Sequence, residues 1–221
     1  AQSRVLEEMC MARGIPYKIV GGHRFYDRME VKDVIAYLRV IQDPEGDLSI
    51  KRIINVPKRG IGKATLDNLE NYARQNGISI YEALLFVDSI EGIGKKAKNS
   101  IKEFVRLIAE LMDLAEKESA SEVINQVIIR SGYLEELEKG DDEDQERGKN
   151  IKELISAALE YEEKNEDNSL TGFLENMALM SDIDGLDEER EGITMMTLHS
   201  AKGLEFPVVF LVGMEEGLFP I

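Results

Sequence analysis

The segment Thr197-Leu-His-Ser-Ala-Lys-Gly-Leu-Glu-Phe206 crowds His199, Ser200, Lys202 and Glu205 together between two short β-branched runs, Ile193–Leu198 and Pro207–Val212. Continuous apolar character predicts strands buried on both faces, as in a parallel sheet. A polar loop between two such strands lies at a sheet end, where α/β proteins bind ligands. Lys202 could hold a phosphate as a point charge, and Glu205 could accept hydrogen bonds from a sugar hydroxyl. Ser200, Ala201 and Gly203 are small enough to let the backbone lie against a ligand. By spacing alone, however, His199 reads as a structural histidine and Glu205 as a surface carboxylate.

A second chemistry-bearing pattern occurs twice. RGIGKATLDNLENYAR from Arg59 and EGIGKKAKNSIKEFVR from Glu91 align without a gap, so Gly60, Ile61, Gly62 and Lys63 match Gly92, Ile93, Gly94 and Lys95. Each copy has a predicted helix on either side. Glycine permits a tight turn and close backbone approach, and the helix that follows presents N–H groups without intrahelical partners toward an anion. Isoleucine between the glycines can tuck into the helix pair. One Gly-x-Gly is equally a plain helix-start turn. Two in register, each followed by lysine, favour a grip on phosphates that reads no base. The pattern resembles the helix-hairpin-helix motif of DNA-binding proteins. Its candidate contacts are Arg59, Gly60, Ile61, Gly62, Lys63 and Thr65, with Gly92, Ile93, Gly94, Lys95 and Lys96.

The chain that must position these residues has 221 amino acids, 43% apolar and 32% charged, which predicts a folded protein. Its net charge of −16 opposes a polyanionic ligand. The charge is uneven: Lys51, Arg52, Lys58, Arg59 and Lys63 form one basic stretch, and Lys95, Lys96, Lys98, Lys102 and Arg106 another, interrupted only by Glu103. The acids gather at Glu135–Glu146 and Asp182–Glu191. Cys10 is the single cysteine, so no internal disulfide is possible, which fits a reducing cytoplasmic setting. One cysteine and two histidines, His23 and His199, argue against a structural zinc site. No apolar run has transmembrane length, so no membrane association is expected.

The elements fall into three stretches. A helix with Val5, Met9 and Ala12 on one face stops at Gly14 and Pro16, and a strand over Tyr17–Val20 follows. An Asp27–Glu30 capping box then opens a helix lined by Val31, Val34, Ile35, Leu38 and Ile41. From Asp43 on, helices are predicted over Leu48–Asn55, Ala64–Gln75, Ile80–Phe86, Lys95–Lys117, Ala120–Arg130, Gln145–Lys164 and Leu170–Met180. Ser79–Glu82 and Ser119–Glu122 form further capping boxes, and Asp141–Glu146 reads as an acidic loop. The strand signal returns at the end. The expected fold is an α/β domain in two segments, 1–42 and 192–221, interrupted by an all-α insertion, 43–191.

The string TLHSAKGLEFPVVFLVGMEEGLFP resembles motif V and its continuation in the UvrD/PcrA/Rep helicases of superfamily 1. FYDRMEVKDVIAYLRVI resembles the segment after motif IV, and AQSR the tail of motif IV. NVPKRGIG and SDIDGLDEEREGITMMTLHSAKG resemble the PcrA branch of that family. The resemblance implies a RecA-like parallel-sheet motor domain, the second of two and incomplete here, with a helical insertion.

It further implies an ATP-dependent 3′–5′ DNA helicase of repair or replication as the parent, using ATP and Mg²⁺, with DNA (single strand and duplex junction) and repair or replication proteins as partners. Glu205 and Gly203 match positions at the nucleotide. Thr197, His199 and Lys202 match positions at the single strand or the coupling loop, and Arg24 and Phe25 lie where the family packs near that strand. Rotation of the insertion would use hinges near Asp43 and Gly185–Gly192. No Gly-x-x-x-x-Gly-Lys-Ser/Thr occurs in the chain, and the resemblance puts the motif IV arginine before Ala1 and the motif VI arginine after Ile221. No catalytic residue, no metal site, no bound cofactor and no ATPase activity are therefore expected of the chain alone. A non-enzymatic DNA-binding or protein-docking module is the alternative.

Overall fold

The computed structural model describes residues 3–20, 24–184 and 192–214, for 180–184 the backbone only. It is mostly helical with a small parallel sheet. The chain divides into two compact units, one holding the chain up to Arg28 and from Ala178 on, the other Met29–Met177. The sequence reading drew its divisions at Gln42/Asp43 and Glu191/Gly192.

In the first unit, helix α1 (Ser3–Ala12) ends at Gly14, whose φ of 61° is left-handed, and Ile15 N–H returns to the Cys10 carbonyl at 2.8 Å. The reversal starts β1 (Tyr17–Val20), which pairs in parallel with β2 (Ile193–Met196), Tyr17 opposite Ile193 and Val20 opposite Met196. Gly192 admits the pairing, because a Cβ there would collide with the Pro16 carbonyl. Cys10, Met11 and Tyr17 are buried, with Ile19 and Met195 packed on them. Burial pushes the Cys10 thiol pKa up, with Glu7 adding to the effect. Phe25 is buried in a 3₁₀ turn, and its N–H donates to Glu7 Oε2 at 2.9 Å. Arg24 lies over the Tyr17 ring.

The strand expected over Pro207–Val212 does not form. Val208 and Val209 are each 70% exposed and Phe210 85%, without a ladder partner among the described residues. β-branched composition expresses a fit to a paired, half-buried surface, and that surface is missing here. β2 also stops at Met196, short of the expected Leu198.

The second unit is built round α2 (Met29–Gln42), which packs against α3 (Asp47–Ile53), α6 (Lys95–Ala115), α7 (Ala120–Ser131) and α9 (Asp142–Lys164). The boundary expected at Gln42/Asp43 puts α2 with the α/β segment. Val31, Tyr37, Leu38 and Val40 are fully buried, as are its polar residues Glu30 and Asp33 to within a few per cent. Buried charge requires partners. Asp33 accepts from Arg52 Nε at 2.7 Å and from Tyr133 OH at 2.8 Å, and Glu30 accepts from Asn150 Nδ2 at 2.7 Å. Burial, reinforced by Asp33, pushes the Tyr133 hydroxyl pKa far up.

The predicted helices of this unit form with ends shifted by a few residues, including α4 (Lys63–Asn76), α5 (Ile80–Leu85) and α10 (Leu170–Asp184). Ser79 and Glu82 make both bonds of a capping box. Ser119 caps α7 by position only: its hydroxyl pairs with Ser121, and Glu122 accepts from Gln126. Asp27 does not stand at the N-cap position, since Arg28 is extended (ψ 139°) and α2 starts at Met29. The acidic run read as a loop is helical from Asp142: Asp141 accepts the Asp144 N–H at 3.0 Å, and Asp142, Glu143 and Asp144 complement the helix dipole. An additional helix, α8 (Tyr133–Glu138), follows Gly132.

Replacing Tyr133 by Phe leaves the buried Asp33 with one partner fewer. Chemical denaturation should show a loss of about 1–3 kcal/mol, whereas a change within experimental error would mean that this network does not stabilise the unit.

Candidate nucleic-acid interface

The two Gly-Ile-Gly turns have the same backbone. Gly60 and Gly92 are left-handed, with φ of 75° and 78°, and Gly62 and Gly94 are extended N-caps of α4 and α6. Only glycine takes the first conformation without strain. Ile61 is 2% and Ile93 6% exposed, so each isoleucine anchors its turn in the core. Lys63 and Lys95 are the first residues of their helices, where leading N–H groups lack helical partners. Thr65 N–H is already committed to the Gly62 carbonyl at 3.0 Å.

The basic residues separate into two sets. Lys51 pairs with Glu70, Arg52 with Asp33, Lys102 with Asp88 and Arg106 with Glu110, while Lys98 donates to the Asp88 carbonyl. Lys63, Lys95 and Lys96 are exposed and make no ion pair among the described residues. Lys58, ahead of the first turn, also makes none, so the cations of these stretches left without an ion pair among the described residues are Lys58 and the three lysines at the helix starts.

Arg59 departs from its companions. Its guanidinium donates to the carbonyls of Ile53, Val56 and Pro57 at 3.2, 2.9 and 3.2 Å, and to Tyr37 OH at 2.6 Å. It also lies 5.3 Å from the Phe104 ring centroid and 5.9 Å from that of Tyr37. Tyr37 OH in turn donates to the Val56 carbonyl at 2.5 Å, and burial pushes its pKa up to about 12. Asn55 completes the brace by accepting the N–H groups of Arg59 and Ile61 at 2.9 and 3.1 Å. The planar fork of Arg59 is occupied in shaping the first turn.

In the first unit, the Thr197–Phe206 segment follows the carboxyl end of β2. A short helix, α11 (Leu198–Ala201), replaces the expected loop. Thr197 caps it, its hydroxyl accepting the Ser200 N–H at 3.2 Å. Gly203 is left-handed at φ 84° with nothing within 4 Å of a would-be Cβ. Thr197, His199, Lys202, Gly203 and Glu205 are all exposed at this sheet end, so the structure brings these sequence-predicted residues onto one short turn. The acidic run Asp182–Glu191, and with it the expected hinge at Gly185–Gly192, lies almost wholly outside the described residues.

The whole chain, residues 1–221, matches the UvrD-like helicase C-terminal domain. The chain belongs to that family. It is 45% identical over its full length to the ATP-dependent DNA helicase PcrA of Bacillus subtilis (strain 168), of which it covers 31%. It is 48% identical to the PcrA of Staphylococcus aureus (strain Mu50) and 47% to that of Staphylococcus epidermidis, covering 30% of each. This UvrD-like chain thus spans about a third of the length of the curated relatives it matches. Among its described residues no group of three or more His, Cys, Asp or Glu is placed to hold a metal ion, and no helix is long and apolar enough to cross a membrane.

The sequence reading passed over Arg4 and Glu7, both 1% exposed. Arg4 pairs with Glu8 at 2.8 Å, and Glu7 holds the Phe25 N–H with one carboxylate oxygen while the other has no hydrogen-bond partner among the described residues. Charged side chains so deeply buried signal a constraint, but single helical charges in a sequence carry no mark of burial.

Replacing Arg59 by Lys removes donors that an ammonium cannot reproduce in one plane. Denaturation should show a loss of about 2–4 kcal/mol. If stability is unchanged while duplex binding is lost, the bracing role is wrong and Arg59 faces the ligand.

Proposed function

We propose that this chain is the incomplete second RecA-like motor domain, with its helical insertion, of an ATP-dependent 3′–5′ DNA helicase acting in repair or replication. On this reading the insertion grips duplex DNA through its two helix-hairpin-helix-like turns. The observation that carries the duplex grip is the repetition of one backbone geometry, each copy ending in a helix start beside an unpaired lysine. The relatives' name as ATP-dependent DNA helicases supports the rest.

Each turn offers backbone N–H groups and a nearby ammonium to a phosphate, and no side chain positioned to read a base edge. Binding is therefore independent of sequence and steep in salt. Gly60, Ile61, Gly62, Lys63 and Thr65 form one contact, and Gly92, Ile93, Gly94, Lys95 and Lys96 the other, with Arg59 supporting the first from behind.

In the other unit, ATP is the substrate that Glu205 would meet at the ribose, and exposed Gly203 lets the backbone come close. Thr197, His199 and Lys202 would face the single strand or couple it to the nucleotide. Mg²⁺, where bound, neutralises phosphate charge, and no residue of this chain is assigned to it. Phosphoryl transfer needs a phosphate-binding lysine loop, metal ligands and arginines round the phosphates, and the chain lacks the first. The chain acts in the cytoplasm and, by itself, is a binding element.

Two measurements test this. Replacing Lys63, Lys95 and Lys96 by Ala should weaken duplex binding by about 10³-fold or less between them and flatten the salt dependence by about one unit of slope for each phosphate no longer neutralised. An unchanged slope sinks the phosphate grip. The purified chain should hydrolyse no ATP with or without DNA, and DNA-stimulated turnover would refute its assignment as a partial motor.

A further inference from the structure

The two turns share a backbone but not a means of support. Asn55 and Arg59 brace the first from within its own hairpin. At the matching places in the second copy stand Val87, which is buried and apolar, and Glu91, which is exposed and acidic. The second turn therefore has neither brace, and it carries a negative charge beside its proposed phosphate contact.

Its support comes from the first hairpin. Asn68 on α4 donates from Nδ2 to the Gly92 carbonyl at 3.2 Å. The approach is close: a Cβ on Gly92 would lie 2.9 Å from that nitrogen. The relation is one-way, since Ser100, the counterpart of Asn68 on α6, makes no such bond to the first turn among the described residues. Asn68 lies six positions beyond Gly62, about 9 Å along α4 at 1.5 Å per residue.

We propose that Asn68 is a positioning residue that locks the second Gly-Ile-Gly turn against the helix opened by the first, so that both grip one stretch of duplex backbone as a single bivalent site. The proposal rests on the phosphate-gripping reading above. Two weak contacts held at a fixed spacing bind far more tightly than either alone, and the gain vanishes when the spacing is lost. Asn68 touches no phosphate itself; it acts on Lys95 and Lys96 through the placement of Gly92.

The test is a double-mutant cycle in the full chain, with a short blunt DNA duplex as probe between about 50 and 200 mM salt. Asn68→Ala, and the isosteric Asn68→Asp as a second variant, remove the donor from a half-buried surface position, and circular dichroism checks that both fold. Each should weaken binding about tenfold, as much as Lys95→Ala with Lys96→Ala, and should lower the salt slope to the value of that lysine pair variant. Adding the lysine replacements to Asn68→Ala should then cost less than about twofold more, while Lys63→Ala keeps its full effect in either background. If the lysine pair costs the same with and without Asn68, the coupling is refuted while the phosphate grip stands. If the lysine replacements have no effect in the otherwise native chain, the phosphate grip fails and this proposal falls with it.

Discussion

The helical unit depends on the burial of α2, which leaves only Lys32, Arg39 and the helix ends exposed. A helix packed against α3, α6, α7 and α9 gains the burial of Val31, Val34, Leu38, Val40 and Ile41, at about 25 cal/mol per Å² of apolar surface removed from water. The same enclosure leaves Glu30, Asp33 and Tyr37 without water, so each must find a protein partner. Those partners lie far along the chain, at Asn150, at Arg52 and Tyr133, and at Arg59. Desolvating one helix thus decides where α9, α3, α8 and the first Gly-Ile-Gly turn must stand.

Tyr37 carries this constraint outward. Its ring is buried in the core and its hydroxyl reaches both Val56 and Arg59. Arg59 then gathers the carbonyls of Ile53, the last residue of α3, and of Val56 and Pro57 just beyond it. An arginine suits this place because its donors diverge in one plane and its face stacks on aromatic rings. The turn that follows is therefore an extension of the core, and the exposed glycine backbone at its tip is held by the half-buried Asn55 and Arg59, themselves tied to the buried ring of Tyr37. A surface that presents its main chain in one fixed conformation needs such support, since glycine supplies no rigidity of its own.

Most of the helices were legible because their signals are local. The Ile101, Phe104, Ile108 and Leu111 stripe of α6 and the Ser79–Glu82 box each lie within one element. The Gly-Ile-Gly turns were legible as a repeat, and their left-handed first glycines fit the sequence reading. Other features depended on distant partners. Arg59 looked like a phosphate ligand because the sequence shows its neighbours Lys58 and Gly60 but not Tyr37 and Phe104. Ser119 and Glu122 have the spacing of a capping box, yet Ser121 and Gln126 compete for them. The acidic run at Asp141 looked like a solvated loop because its charge masked a helix start that those acids stabilise. Pro207–Val212 has strand composition, and composition does not supply a neighbouring strand. At the Thr197–Phe206 turn, the sequence marked Thr197, His199, Lys202, Gly203 and Glu205 as a group, and a one-turn helix capped by Thr197 sets them together.

Net charge bears on how such a chain could hold DNA at all. At −16 the molecule as a whole repels a polyanion, so net charge supplies none of the affinity and local groups must. Ion pairing within the insertion sharpens this, because Lys51, Arg52, Lys102 and Arg106 are already matched by Glu70, Asp33, Asp88 and Glu110. The positive charge left unpaired at the turns is small and sits beside backbone N–H groups. Those groups lose no side-chain entropy on binding and release no counterion of their own, so their attraction persists where salt screens the long-range repulsion. Two such points at fixed spacing can then supply through geometry what the overall charge withholds. On the proposed reading, the rigidity of the insertion substitutes for basicity, and the packing that fixes the turns is as much a determinant of DNA affinity as the lysines beside them.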